Sequence, residues 1–283
     1  MDLVILPQHW SAFLCIAIII SVLLVAIVKK YMMTFALIVT NIILFIITFI
    51  FYEELVYGFS DGSFKYAGLA FRAVNLNFEL IPQLYTLFTS QFLHSGFLHL
   101  FGNMLTFFFV GLPFEQRIGW KKFILIYLLT GVIAAISHSL TDLGSQIPLL
   151  GASGAIFGIM GAFAASYPRD EVVMPIPLGF IMILRRIKVM YAVLIFAALE
   201  TVIVFLDVQD QTAHFAHLGG LIGGVVLALI FLRGRRTHTK KGETIYYDSY
   251  QAQRPRNINY SNLEKIAKTE DQKQMLEKIK NES

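Results

Sequence analysis

Long apolar segments constrain this chain more than any other feature of its sequence, since several of them approach 20 residues. At about 1.5 Å per residue, a helix of that length spans the roughly 30 Å hydrocarbon core of a bilayer. Charged residues occupy only 15% of the 283 positions, against about a quarter in soluble domains. The pattern therefore predicts an integral membrane protein made of helices. Seven spans are predicted, at residues 11–28, 34–52, 97–114, 121–139, 151–167, 189–206 and 214–232.

The first span lies close to Met1, where a secretory signal peptide would be found. No basic residue precedes it, however, and Lys29 and Lys30 follow it where a cleavage site of small residues would be needed. We therefore expect this segment to be retained as a transmembrane helix. The lone Cys15 excludes an intramolecular disulfide framework and any zinc site built from cysteines.

Basic residues predict the orientation, because cytoplasmic connections between spans are enriched in lysine and arginine. They occur here in alternate connections and after the last span: Lys29, Lys30, Arg117, Lys121, Lys122, Arg169, Arg185, Arg186, Lys188, Arg233, Arg235 and Arg236. The N-terminus is therefore expected outside and the polar tail 234–283 in the cytoplasm, where Ser261 and Glu264 fit a helix cap. Residues 53–96 form the largest outer connection, and their amphipathic content predicts a structured segment at the interface.

Five polar side chains stand out, because polar groups inside a membrane are costly and usually functional. They are His99 and Asn103 in the third span, Ser153 in the fifth, and His214 and His217 in the seventh. All three spans run inward from the outer side, and each polar residue lies near the outer end of its span. The predicted orientation therefore brings these residues to one depth. At the edges of their spans, His214 and the nearby His94 are expected to have structural roles.

Glycine spacing predicts which of these helices meet. Gly154 and Gly158 are four residues apart in the fifth span, while Gly220 and Gly224 follow His217 on its own helical face. Small residues let membrane helices approach closely. We therefore expect the fifth and seventh spans to pack together with Ser153 against His217.

This set of residues fits the hydrolysis of an amide bond. His217 would take the proton of the Ser153 hydroxyl, while His99, Asn103 and the backbone N–H of Ser153 would donate to the oxyanion. The outer halves of the three spans contain no Asp or Glu. We therefore expect a Ser–His dyad with no carboxylate as a third member, and an imidazole braced by Phe157.

The length of the fifth span predicts how deep Ser153 lies. Its 17 residues make about 25 Å of helix, less than the roughly 30 Å hydrocarbon core. With Arg169 anchoring the inner end, the first turn is expected below the outer surface, at the floor of a water-filled cavity. The preceding residues, "SQIPLL", must then enter the membrane as non-helical backbone, which requires burial in protein or contact with water.

Other readings of these residues fit less well. The "GASGA" stretch has Ala155 where the elbow motif G-x-S-x-G needs glycine, and the chain has no H-E-x-x-H motif for a zinc protease. Each residue also has an ordinary explanation by itself, since membrane serines bond to their own helix, histidines bond between helices and glycines pack. Their joint occurrence at one depth favours a catalytic site.

The same residues make the sequence resemble the rhomboid family of intramembrane serine proteases, over about residues 34–232. The shared motifs are "HSGFLHLFGN" with His94, His99 and Asn103, "GLPFEQRIG" with Glu115, Arg117 and Gly119, "GASG" at Ser153, and "AHLGGLIGG" at His217. In one departure, the Trp-Arg pair typical of many members is replaced by Tyr85-Thr86.

The resemblance implies an all-α, polytopic membrane helix bundle. A six-helix core over residues 34–233 would follow an extra transmembrane helix in residues 1–33 and precede the tail, 234–283. It further implies a serine endopeptidase that cleaves transmembrane proteins near the outer membrane boundary, with no metal and no cofactor. The expected partners are transmembrane substrates and membrane lipid, and no nucleic acid.

Two other classes stay open. A non-catalytic rhomboid-like protein that binds membrane clients would normally lack the serine or the histidine, and both are present here. A transporter would need broken helices or ionisable residues at the midplane of several spans, and this chain has few.

Cysteine labelling tests the predicted orientation. Single cysteines replacing Gln146 and Gln209, in a chain whose Cys15 has been changed to alanine, should react with an impermeant reagent added outside. A cysteine replacing Gln251 should react only after the membrane is permeabilised. The reverse pattern would contradict both the orientation and the depth assigned to Ser153.

Overall fold

Seven apolar helices coincide with the seven predicted spans to within a few residues at each end. This computed structural model describes residue 7 and residues 9–58, 68–76, 83–178, 181–205 and 213–232. The tail and its expected helix cap lie outside the described residues. The helices are α1 (Trp10–Lys29), α2 (Met33–Ile50), the four-residue α3 (Thr86–Thr89), α4 (Phe97–Ile118), α5 (Trp120–Ser139), α6 (Ser153–Ser166), α7 (Val189–Phe205) and α8 (His214–Phe231).

The length and surface of these helices are those of an integral, multi-pass membrane protein. Five of them, α1, α2, α4, α5 and α8, are long and apolar enough to cross a membrane, while α6 and α7 are apolar but shorter. Large apolar side chains point outward from the bundle, including Phe49, which is 80% exposed, and Leu98, which is 81% exposed. Such a surface is costly in water and favourable in lipid. The prediction of a polytopic helical membrane bundle is confirmed.

Helix α6 lies at the centre of the bundle, and every one of its residues from Gly154 to Ala164 is buried. Its most extensive contact is with α8. A Cβ atom added at Gly220 would overlap the carbonyl oxygen of Gly154, and one added at Gly224 would overlap that of Gly158. The backbones of the two helices are therefore in direct contact, as the glycine spacing predicted.

A buried carboxylate connects α4 to the start of α2. Glu115 is 3% exposed and accepts hydrogen bonds from the backbone N–H of Met33 at 2.6 Å and of Thr34 at 2.7 Å. The Thr34 hydroxyl donates to the same carboxylate at 2.7 Å. The first N–H groups of a helix have no partner within it, and a negative charge there is favourable. Glu115 therefore supplies the N-terminal cap of α2 from another helix.

The described parts of the connection 53–96 are structured, as predicted. Arg72 is fully buried and donates to the carbonyl oxygens of Val56 and Gln146, both at 2.9 Å. Tyr85 is the first residue of the Tyr85-Thr86 pair that replaces the family's usual Trp-Arg. Its hydroxyl donates a hydrogen bond to the carbonyl of Gly68 at 2.9 Å. Burial raises the pKa of Tyr85 to about 12, so the hydroxyl keeps its proton and remains a donor. This connection is thus fixed by its own buried polar contacts.

A β-hairpin between α6 and α7 was not predicted. Strands β1 (Glu171–Leu178) and β2 (Ile181–Lys188) pair antiparallel, with Glu171 opposite Lys188 and Leu178 opposite Ile181. Each strand has eight residues, but Pro175 and Pro177 lie within β1, and proline is unusual inside a strand because it cannot donate to the neighbouring strand. The alternation that buries Val172 and Met174 is therefore too weak a signal in the sequence to stand out from a connecting loop.

The packing of α6 on α8 predicts the effect of adding one methyl group. Gly224→Ala should lower the free energy of unfolding by about 1–3 kcal/mol, the usual cost of overpacking, because the two backbones would have to separate. Gly102→Ala in α4 is the matched control, since a Cβ there meets nothing within 4 Å. Thermal unfolding in detergent measures both variants. Equal stability of the two would contradict the close contact.

Candidate active site

Ser153 is the first residue of α6, and residues 145–152 before it are not helical. Leu149 pairs with Phe71 through two hydrogen bonds, of 2.7 and 3.2 Å, and the N–H of Gly151 donates to the carbonyl of Ser90 at 3.0 Å. Gly151 has a φ of 126°, a conformation open mainly to glycine. The expected non-helical approach to Ser153 is confirmed, and its backbone groups find partners in the preceding connection.

His99 lies against the same glycine. A Cβ atom at Gly151 would come within 2.9 Å of the His99 atoms Cε1 and Nε2, and within 3.8 Å of the Ser153 hydroxyl oxygen. The other ring nitrogen of His99, Nδ1, is 3.1 Å from the Ser95 hydroxyl. The absence of a side chain at position 151 therefore lets the His99 ring lie directly against the backbone that leads into Ser153.

Asn103 is oriented by His94. The amide nitrogen of Asn103 lies 3.0 Å from His94 Nε2, and the rings of His94 and His99 meet edge to face with centroids 5.0 Å apart. Burial, together with the nearby His99, lowers the pKa of His94 to about 3, so its ring is neutral and Nε2 can accept from the amide. His94 thus has the structural role expected of it, and the second amide hydrogen of Asn103 stays available.

His217 lies in the first turn of α8, 7% exposed. Its ring stacks on that of Phe157, with centroids 4.4 Å apart and planes within 3° of parallel. Phe157 follows Ser153 by four residues and shares its face of α6. The predicted brace is therefore confirmed, and the imidazole lies over the helical face that begins with Ser153.

A carboxylate stands beside His217, where the sequence analysis expected none. Glu200 of α7 has one oxygen 3.0 Å from His217 Nδ1 and the other 2.5 Å from His214 Nδ1. The three spans that hold the other polar residues contain no Asp or Glu in their outer halves, whereas Glu200 belongs to the sixth span. In the predicted orientation that span would run outward, so the late position of Glu200 in it is a signal in the sequence for the depth of Ser153.

The same three side chains are the described residues that could hold a divalent metal. The donor atoms of Glu200, His214 and His217 all lie within 4.8 Å of one another, and two imidazoles with a carboxylate are a donor set that Zn²⁺ accepts. The separations between the carboxylate oxygens and the ring nitrogens are, however, those of direct hydrogen bonds. The three side chains therefore satisfy one another without an ion.

Comparison with known families matches residues 81–234 to the Rhomboid domain. Among similar proteins, RHOMBOID-like protein 5 of Arabidopsis thaliana is 28% identical over 140 residues, 50% of this chain and 41% of its own length. Rhomboid-like protease 3 of Toxoplasma gondii is 28% identical over 193 residues, 68% of this chain and 66% of its own. Inactive RHOMBOID-like protein 8 of Arabidopsis thaliana is 32% identical over 103 residues, 36% of this chain and 28% of its own.

The chain belongs to the rhomboid family, because the matched domain covers more than half of it. It spans less than two thirds of the length of these relatives. One relative is named a protease and another is named inactive, so membership alone does not establish catalysis.

Proposed function

We propose that this protein is an intramembrane serine endopeptidase in which Ser153 is the nucleophile and His217 the general base. The observation that supports this most is the stacking of His217 on Phe157, four residues after Ser153 on one face of α6. The close contact of α6 and α8 at Gly154 and Gly220 holds both residues in adjoining first turns. A nucleophile and a base on rigid elements are the requirement for covalent catalysis.

In the first step, His217 Nε2 takes the proton of the Ser153 hydroxyl while the oxygen attacks the carbonyl carbon of the substrate peptide bond. The tetrahedral intermediate then collapses, the C–N bond breaks, and His217 returns the proton to the leaving amine. Water, activated by the same imidazole, hydrolyses the acyl-enzyme and releases the second product. Each proton is thus accepted and returned by one side chain.

The proposed place for the oxyanion lies between the His99 ring and the start of α6, next to Gly151. His99 Nε2 is close to Gly151, the N–H of Ser153 belongs to the first turn of α6, and the second amide hydrogen of Asn103 is available from α4. Donors fixed before the reaction stabilise charge as it develops, without reorganisation. Among these three donors, the amide of Asn103 is held in place by His94, whose Nε2 accepts a hydrogen bond from it.

The substrates that we propose are transmembrane proteins, cleaved near the outer boundary of the membrane. The apolar exterior of the helical bundle supports this proposal, because it allows contact with partners inside the bilayer. The outer location of the cleavage follows from the orientation of the chain that the basic residues predict. Ser153 would then lie at the floor of a water-filled cavity open to the outside, as the short α6, with 14 residues, suggests.

A non-catalytic client-binding protein is the second candidate, favoured by the relative that is named inactive. Such a protein has no need for a serine at the start of α6 or a hydrogen-bonded histidine stacked over it. The presence of both in this chain supports the protease.

Removal of the nucleophile or the base tests the proposal. Ser153→Ala and His217→Ala should each abolish cleavage of a transmembrane substrate by the detergent-purified chain. The double variant should be no slower than either, because members of one catalytic unit are not additive. Substantial turnover by either single variant would reject this pair, and unchanged thermal unfolding of Ser153→Ala provides the control for folding.

Removal of an oxyanion donor should slow the reaction without abolishing it. Asn103→Ala should lower kcat by roughly 10²–10³-fold, the usual effect of one such donor, and His99→Ala should have a similar or larger effect. Steady-state kinetics on the same substrate measure both. If neither variant differed from the wild type, the oxyanion would be stabilised by backbone donors alone.

A further inference from the structure

We propose that Glu200 is a positioning residue for His217, so that the catalytic unit is a Ser153–His217–Glu200 triad and not a dyad. The inference rests on the proposed function and adds a member from α7, the sixth apolar span. It is supported by the direct contact between the Glu200 carboxylate and His217 Nδ1, at 3.0 Å.

The contact determines which ring nitrogen of His217 has the proton. A carboxylate can only accept a hydrogen bond, so Nδ1 must be the donor, and in the neutral ring Nε2 is then unprotonated. An unprotonated Nε2 is what a general base needs in order to take the Ser153 proton. Without the carboxylate, both tautomers would be populated, and the form with a hydrogen on Nε2 could not accept the proton.

His214 holds the carboxylate in place. Its Nδ1 is 2.5 Å from the second oxygen of Glu200, so each oxygen pairs with a different histidine. The rings of His214 and His217 are perpendicular, with centroids 6.1 Å apart. Only an ionised carboxylate can accept from both rings at once, since an amide at this position would offer one acceptor and one donor.

The surroundings of Glu200 are apolar and largely closed to solvent. It is the one charged residue in α7, whose other side chains are apolar but for a threonine and a tyrosine. The side chains of Glu200 and of both histidines are at most 12% exposed. Ionisable residues at such positions are costly and usually functional. Once formed, the imidazolium of His217 would have the carboxylate as its counter-charge, as in soluble serine proteases.

Several neighbouring helices contribute side chains that interact with His217 and could change the rate when they are altered. His99 of α4 and His138 of α5 both interact electrostatically with it, and Phe157 of α6 covers one face of its ring. A change in rate alone could reflect any of them. The tautomer of His217 is a more specific measurement, because among these groups only Glu200 is hydrogen-bonded to its Nδ1.

The decisive variant is Glu200→Gln, examined in the full chain in detergent. Replacing the carboxylate by an amide in a soluble triad costs up to about 10⁴ in kcat. We expect a loss of at least about tenfold here, because the amide keeps the shape but neither the charge nor the second acceptor. In ¹⁵N spectra of histidine-labelled protein, assigned by difference from His217→Ala, the Nδ1-protonated form of His217 should diminish.

Turnover by Glu200→Gln within threefold of the wild type would overturn the inference, and so would an unchanged tautomer, whatever the rate. Thr201→Val, at an exposed neighbouring position on α7, is the matched control and should keep the wild-type rate. If Glu200→Gln does not fold, the double variant Glu200→Leu and His214→Leu removes the carboxylate together with its second partner, so that His217 Nδ1 is the one group of the three that loses its hydrogen bond. Wild-type turnover by that variant would also overturn the inference.

Two outcomes separate this inference from its alternatives. If Ser153→Ala cleaves as fast as the wild type, the proposed function fails, while the tautomer measurement still tests the contact with Glu200. If a chelator abolishes wild-type turnover and Zn²⁺ restores it, the three side chains hold a metal, and the positioning role is rejected. We expect turnover and spectra to be unchanged by the chelator.

Discussion

The contact between the backbones of α6 and α8 is the interaction on which the rest of the site depends. In lipid there is little hydrophobic force between apolar helices, so close van der Waals packing must hold them together. Gly220 and Gly224 allow that packing by placing α8 against the carbonyl oxygens of Gly154 and Gly158. Ser153 and His217 each lie beside one of these contacts. The chemistry proposed for them therefore depends on the absence of side chains next to them.

Three buried charged side chains connect segments of this apolar bundle through hydrogen bonds. Glu115 accepts from the start of α2, Arg72 donates to two carbonyl groups, and Glu200 pairs with two histidines. In each case the partners come from segments distant in sequence. Because an unpaired polar group in hydrocarbon is costly, these contacts fix the relative placement of helices that apolar packing alone would leave free to slide.

Much of this architecture could be predicted from the sequence, because its signals are local. The apolar runs determine the helices, and the spacing of Gly220 and Gly224 after His217 indicates the face that meets α6. The ring of Phe157 was expected beside His217 for the same reason, since a separation of four residues fixes a helical face. Such inferences need only the geometry of one helix and a rule about small residues.

What could not be predicted depends on contacts between distant segments. Glu200 is the one charged residue of an apolar helix. Its position in the sixth span indicates a depth in the predicted orientation, but nothing in its neighbours indicates that two histidines of α8 are its partners. Arg72 is a charged residue in a connection, which usually means exposure to solvent, yet it is fully buried. The hairpin of β1 and β2 could not be predicted because two prolines lie within its first strand, and proline inside a run argues against a strand.

The cap that Glu115 provides for α2 has a consequence for the order in which the chain assembles. The N–H groups of Met33 and Thr34 are synthesised about eighty residues before the carboxylate that accepts from them, as the separations of 82 and 81 positions require. During biosynthesis, the N–H groups at the start of α2 must therefore bond to water or to another partner until α4 has been made. The bundle cannot be completed helix by helix from the N-terminus, because the second helix is finished only by the fourth.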